Sequence, residues 1–121
     1  MNNLFLVFVG GGLGSIVRYG ISEFVRTSFK TVFPIATLSS NIISCIILAL
    51  TVVFFNEKIG LTPSVRIFIF VGFCGGFSTF STFSYETVAL MRSGNTMIAI
   101  ANIFISITIC TALVYFITKR V

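Results

Sequence analysis

The sequence contains no histidine and no tryptophan, and only three of its 121 residues are acidic. Without histidine, the chain lacks the side chain on which most zinc and haem sites depend. Its three cysteines, Cys45, Cys74 and Cys110, are far apart in the sequence and lie in apolar segments. We therefore expect small buried thiols rather than a metal cluster.

Charge is also scarce: 9% of the residues are charged, whereas 56% are hydrophobic, and the mean hydropathy is +1.09. A soluble domain of this length cannot bury so much apolar surface, because small domains leave much of their surface exposed. The net charge of +5 comes from basic residues scattered between apolar runs, which argues against a nucleic-acid surface. The sequence thus predicts an all-α membrane protein.

A transmembrane helix needs about twenty mostly apolar residues. Four segments meet this requirement, at residues 4–24, 32–55, 65–91 and 96–117. They predict a single transmembrane domain over residues 1–121, and we expect a multi-pass protein of a bacterial inner membrane. The first segment has no basic start, so we expect a retained helix rather than a secretory signal.

The third segment contains a cluster of glycines and hydroxyl residues, Gly72–Glu86, which reads GFCGGFSTFSTFSYE. Polar backbone at membrane depth is tolerated only where it is buried in protein or lines a watery cavity or an ion site. This cluster therefore predicts that the third transmembrane helix is broken near its middle, at Gly75–Thr79. Glu86 is the one acidic residue away from the very end of a span, and we expect it to cap or pair near the end of this helix.

Beyond the expected break, Phe80 and Phe83 share a helix face, and Ser81 and Ser84 lie on the adjacent face. The edges of phenylalanine rings carry partial positive charge, so rings presented edge-on can face an anion. The alternative is that both rings only pack. The interleaved hydroxyls favour an anion pathway.

Two further segments carry one-sided polar stripes. Thr37 and Asn41 are four residues apart in the second segment, and Asn102, Ser106 and Cys110 have the same spacing in the last. Such side chains can join helices by hydrogen bonds or offer donors to an anion. Three segments with aligned polar faces predict a shared polar interior.

Glycines and one arginine mark the first segment. The spacings Gly10-xxx-Gly14 and Gly72-xxx-Gly76 permit close helix packing. Arg18 is expected at or inside the far end of the first span, either snorkelling to the interface or attracting anions at a pore mouth.

Basic residues are evenly divided between the two sides of the predicted membrane domain. The four on each side are Lys58, Arg66, Lys119 and Arg120 against Arg18, Arg26, Lys30 and Arg92. Because Lys/Arg bias sets orientation, this balance predicts insertion in both orientations and an antiparallel pair. The two breaks would then meet on a two-fold axis, where freed carbonyls suit a small hard cation.

Residues 10–19 (GGGLGSIVRY), Thr37 with Asn41, and Gly72–Glu86 together resemble the Fluc/CrcB family of fluoride channels. The resemblance spans the whole chain. It implies a dual-topology antiparallel homodimer in the lipid bilayer, with two pores that conduct fluoride passively and export it from the cytoplasm.

The resemblance also implies roles for individual residues. A structural Na⁺ at the dimer centre would be held by the backbone carbonyls of Gly75 and Ser78. The family usually has threonine where Ser78 stands, which matters little if the ligand is a carbonyl. Arg18 would lie in a vestibule. The resemblance and the polar pattern of the sequence together predict a fluoride pore lined by Asn41, Phe80, Phe83, Ser81, Ser84, Thr37 and Ser106.

Two other functions are compatible with four short spans. A small dual-topology proton-coupled multidrug antiporter would need a carboxylate deep in the first span, where this chain offers only Glu23, near its end. A non-transporting assembly subunit would have glycine packing faces without the hydroxyl–phenylalanine pattern. The sequence contains no convincing nucleotide-binding motif, since Gly10-x-Gly12-x-x-Ser15 lacks a βαβ context, and we do not expect an enzyme.

Overall fold

The computed structural model describes residues 2–56 and 60–121, in which the regular secondary structure is helical, with no strand. Lys58, counted in the charge balance, lies outside the described residues. The helices are α1 (Asn3–Ser28), α2 (Ile35–Asn56), α3 (Pro63–Arg66), a π-helix (Ile67–Cys74), α4 (Gly75–Phe77), α5 (Phe80–Arg92) and α6 (Thr96–Thr118). Four helical units, with Pro63–Arg92 counted as one, are long and apolar enough to cross a membrane, which confirms the predicted four-helix architecture.

The first helix begins where Asn2 caps it, accepting a hydrogen bond from the Leu4 amide at 2.9 Å. It continues to Ser28, beyond the predicted end at residue 24. Arg18 therefore lies ten residues before the end of the helix.

The third span changes its helical form twice. Pro63 occupies the first turn of α3, where its missing N–H costs nothing, and the π-helix follows directly. The helix stops after Phe77, because Ser78 and Thr79 are extended, with φ/ψ of −79°/156° and −150°/119°. The span is thus broken near its middle, as predicted, although only the last two of the five expected residues leave the helix.

Glycines allow α1 to lie directly against the π-helix and α4. A Cβ added at Gly10 would lie 2.6 Å from the Phe68 carbonyl oxygen, and one at Gly14 would overlap the Phe73 carbonyl oxygen. Gly76 meets α1 in the same way at the Gly11 carbonyl. These backbone contacts hold the residues just before the break against the middle of α1.

The interior is unusually polar. The buried polar side chains are those of Thr37, Ser40, Ser44, Thr51, Thr87, Asn102 and Ser106. Many large apolar side chains are instead exposed, such as Phe8 and Phe104, at 76% and 68%. Lipid solvates an apolar exterior, so this inverted distribution fits a membrane protein.

Candidate functional site

The side chain of Asn41 holds the break from the side of α2. Its Oδ1 accepts a hydrogen bond from the Thr79 amide at 2.8 Å, and its Nδ2 donates to the Thr79 carbonyl at 3.3 Å. One amide side chain therefore satisfies both backbone groups of an extended residue at membrane depth, as such a break requires.

The first helix holds the other side of the break. The Gly76 carbonyl accepts hydrogen bonds from Arg18 Nε at 3.1 Å and from Ser15 Oγ at 3.4 Å. In a continuous α-helix this carbonyl would accept from the Phe80 amide. The guanidinium, which is half-buried, thus lies beside the break, where a charged donor strengthens the contact.

The carbonyls of Gly75 and Ser78 lose their usual helical donors. In an α-helix they would accept from the amides of Thr79 and Thr82, but these donate to Asn41 Oδ1 and Thr79 Oγ1. The Ser78 hydroxyl donates to the Cys74 carbonyl at 2.7 Å, so its side chain faces its own helix. The two carbonyls suit a small hard cation, but a cation that takes about six oxygens needs further ligands.

The predicted phenylalanine pair comes together at the start of α5. The ring centroids of Phe80 and Phe83 are 5.6 Å apart and the rings are tilted by 41°. Phe83 is buried, whereas Phe80 is 76% exposed. Both rings line a cavity of about 290 Å³ together with Asn41 and Ser106. Four of the predicted pore residues, from α2, α5 and α6, therefore converge in one cavity.

The hydroxyls near this cavity already have partners within the chain. Ser106 donates to Asn102 Oδ1 at 3.1 Å, and Ser84 donates to the Phe80 carbonyl at 2.9 Å. Ser81 shares a hydrogen bond of 3.3 Å with Thr79. Ser81 and Ser84 do not line the cavity that contains Asn41. An anion in this cavity would therefore meet these two hydroxyls only at another point along the predicted pore.

Thr37 lies apart from this cavity and donates a hydrogen bond to Glu86 Oε1. Glu86 lines a separate cavity of about 500 Å³ near the end of α1 and the start of α2. The sequence led us to expect a pairing role for Glu86, and the structure supplies the partner. The predicted pore donor Thr37 therefore contacts a carboxylate in this arrangement.

The sequence did not single out Thr87, which links α5 to α6. Its hydroxyl donates to the Phe83 carbonyl at 2.8 Å and accepts from Asn102 Nδ2 at 3.0 Å. This contact, with the Ser106–Asn102 bond, fixes α6 beside the phenylalanine pair. The signal was available, because Thr87 follows Phe83 by four residues on the same helix face.

Known proteins resemble this chain over nearly its whole length. Residues 5–117 match the protein family described as CrcB-like protein, Camphor Resistance (CrcB). Similar proteins named Fluoride-specific ion channel FluC occur in several organisms. That of Citrifermentans bemidjiense is 39% identical over 91% of this chain and 89% of its own length. For Pyrococcus horikoshii the values are 44%, 91% and 88%, and for Flavobacterium psychrophilum 35%, 88% and 86%.

Proposed function

The chain belongs to the family of CrcB-like proteins, and from that premise we propose that it is a fluoride-selective passive ion channel. Its four membrane helices make it a multi-pass membrane protein. The family consists of ion channels, which confirms the expectation that the chain is not an enzyme. The observation that carries the proposal is the cavity where Asn41 and Ser106 lie beside the Phe80–Phe83 pair.

Selection of fluoride follows from what this cavity offers an anion. Fluoride is small and strongly hydrated, so a pathway must replace its water with close donors. Asn41 Nδ2 has two N–H groups, of which one contacts Thr79 and the other remains available. Hydroxyls that rotate away from their present partners and the positive edges of the rings add further donors. We expect the narrow, largely aromatic passage to exclude larger halides sterically.

The positions of the carboxylates among the described residues support passive conduction rather than proton coupling. Glu23 forms a salt bridge with Arg26 at 2.7 Å near the end of α1, and Glu86 is bonded to Thr37. Neither is the deep first-span carboxylate that a proton-coupled multidrug antiporter needs. In a bacterial inner membrane, such a channel exports cytoplasmic fluoride whenever the internal concentration exceeds the external one.

We further infer a dual-topology antiparallel homodimer with two pores and a structural Na⁺ at its centre. Gly75 and the Phe80 ring are exposed on the single chain, so a second copy can cover them. The Gly75 and Ser78 carbonyls supply part of a cation shell, and an inverted copy supplies the same two again.

Replacing Na⁺ by K⁺ throughout purification tests the cation. The larger ion fits a cage built for Na⁺ poorly, so the dimer should dissociate more readily, as measured by light scattering across a dilution series in detergent. Ser78→Ala is the matched control, because it keeps the carbonyl and should retain the dependence on Na⁺. Equal dimer stability in both salts would contradict the Na⁺ site.

Fluoride efflux from proteoliposomes, measured with a fluoride electrode, tests the channel itself. We expect fluoride efflux and no comparable chloride efflux. Phe80→Ile and Phe83→Ile should each lower the fluoride rate by about tenfold or more, a loss of about 1.4 kcal/mol in barrier terms. Phe8→Ile provides a control, since Phe8 is equally exposed at 76% but lies on α1, away from the cavity.

Two results would contradict these assignments. Equal permeation of fluoride and chloride would remove the selectivity. Unchanged fluoride rates in both Phe80→Ile and Phe83→Ile would remove the rings from the pathway.

A further inference from the structure

Two of the three cysteines lie at matching heights on neighbouring helices. The four spans cross the membrane in alternation, so α2 and α6 run in the same direction. Cys45 follows Asn41 by one turn on α2, and Cys110 follows Ser106 by one turn on α6. All four side chains line the same cavity of about 290 Å³. The cysteines therefore extend the wall of the cavity one turn beyond Asn41 and Ser106.

The two cysteines face the same space between α2 and α6. Both line the cavity, and both are half-buried, free cysteines. Cys74 differs from them: it is only 2% exposed, its thiol donates to the Ser44 carbonyl at 3.7 Å, and it does not line the cavity. Cys74 thus provides a control within the chain.

We propose that Cys45 and Cys110 form a two-thiol site that binds one soft divalent cation of the mercuric type, reached from the cavity. Thiol ligands select soft metals, and two of them suffice for a linear complex. Zinc sites normally have four ligands, and the described residues contain no group of three or more His, Cys, Asp or Glu side chains that could hold a metal.

The charge of the complex favours a divalent ion. Each thiol releases one proton to solvent and forms one metal–sulfur bond, so Hg²⁺ and two thiols give a neutral complex and two protons. A monovalent soft ion with the same two ligands would leave a net negative charge. Uncompensated charge inside a membrane is costly, and the neutral complex avoids that cost.

Metal binding should also block ion flow. A metal ion held between Cys45 and Cys110 occupies the cavity one turn from Asn41. It also fixes the distance between α2 and α6 at that level. This consequence for flux rests on the proposed function, whereas binding itself does not.

Mercuric chloride titration of the purified full chain, with excess monothiol present as a competitor, tests the site. Ultraviolet absorption of the sulfur–metal bonds reports binding. We expect one ion per chain, retained against the monothiol. Cys45→Ser and Cys110→Ser should each weaken retention by about 100-fold or more, because the second thiol acts at high effective concentration. Cys74→Ser should behave like the unaltered chain.

Efflux is measured in parallel, with each variant compared with its own metal-free rate. The unaltered chain and Cys74→Ser should be inhibited at the same mercuric concentration, and the other two variants only at a much higher one. If only one of Cys45 and Cys110 affects retention, or if Cys74→Ser weakens it equally, the two-thiol site is wrong. If retention of the mercuric ion depends on both Cys45 and Cys110 but the chain shows no fluoride efflux, the proposed function is wrong and the metal site is confirmed.

Discussion

Asn41 has two separable tasks, because its amide both stabilises the break and faces the cavity. Its oxygen accepts from the Thr79 amide, and one of its N–H groups contacts the Thr79 carbonyl. The stabilising task depends mainly on the shorter bond, which needs only an acceptor. Binding an anion in the cavity instead requires an N–H donor.

Asn41→Asp separates these two tasks. The aspartate keeps an oxygen for the Thr79 amide, so we expect a folded protein that elutes from gel filtration as the unaltered chain does. It loses both N–H donors and adds negative charge at the cavity, so fluoride efflux should fall by about 100-fold or more; two unfavourable hydrogen-bond changes of about 1.5 kcal/mol each suffice. Asn41→Ala is the comparison, because it loses the break contact as well and should also lower thermal stability. Full efflux in Asn41→Asp would contradict a donor role.

Arg18 illustrates what the sequence could predict about a single residue. Its charge and its place in an apolar helix predicted either a side chain that snorkels to the interface or one that attracts anions at a pore mouth. The structure places its Nε 3.1 Å from the carbonyl of Gly76, 58 residues away in the chain, a contact that the sequence did not predict. A contact between such distant positions depends on how α1 packs on the third span, which no local pattern encodes.

Among the helices, the contact between α1 and the third span depends on the absence of side chains. Gly14 leaves no room for a Cβ because the Phe73 carbonyl fills that space, whereas a Cβ at Gly12 meets nothing within 4 Å. The two glycines lie two residues apart on one helix and thus face different surroundings. They form a matched pair for testing close packing.

Gly14→Ala should lower the free energy of unfolding by about 1–3 kcal/mol, as overpacking does, and should disturb the nearby break. Gly12→Ala should leave stability unchanged or raise it by up to about 1 kcal/mol, because alanine favours the helix. Thermal unfolding in detergent micelles, followed by circular dichroism, measures both. A larger loss for Gly12→Ala than for Gly14→Ala would show that another contact governs α1.

The third span shows how far an element could be predicted. Clustered glycines and hydroxyls predicted a break, and the structure has one. Its extent, limited to Ser78 and Thr79, and the π-helix at Ile67–Cys74 were not predicted. The apolar sequence IFIFVGFC is compatible with either an α-helix or a π-helix. In the structure it forms the wider π-helix and packs against the glycine face of α1.

At the scale of the whole molecule, the even division of basic residues should allow both orientations. Changing Lys119 and Arg120 to Gln leaves two basic residues against four and should fix one orientation; changing Lys30 and Arg92 should fix the other. Each variant alone should then lose fluoride efflux, because an antiparallel pair cannot form, and co-expression should restore it.

A control variant keeps the balance. Lys30→Gln with Arg120→Gln removes one basic residue from each side and leaves three against three, so it should conduct alone. Cysteine labelling from each side of sealed vesicles gives the orientation independently of flux. Efflux from either biased variant alone, with labelling in one orientation, would contradict the antiparallel dimer.

By itself, the sequence determined that the chain lies in a lipid bilayer, how many spans it has, that the third span is broken, and which residue types lie beside the break. These follow from composition and from periodic patterns within one segment, where the cost of placing polar groups in hydrocarbon leaves few solutions. Only the tertiary structure decided the partners: Asn41 with Thr79, Arg18 with Gly76, and Thr37 with Glu86. Each of these contacts joins different spans, so it depends on the relative rotation and height of whole helices. That geometry is set by packing along the full length of each helix, and a local pattern cannot specify it.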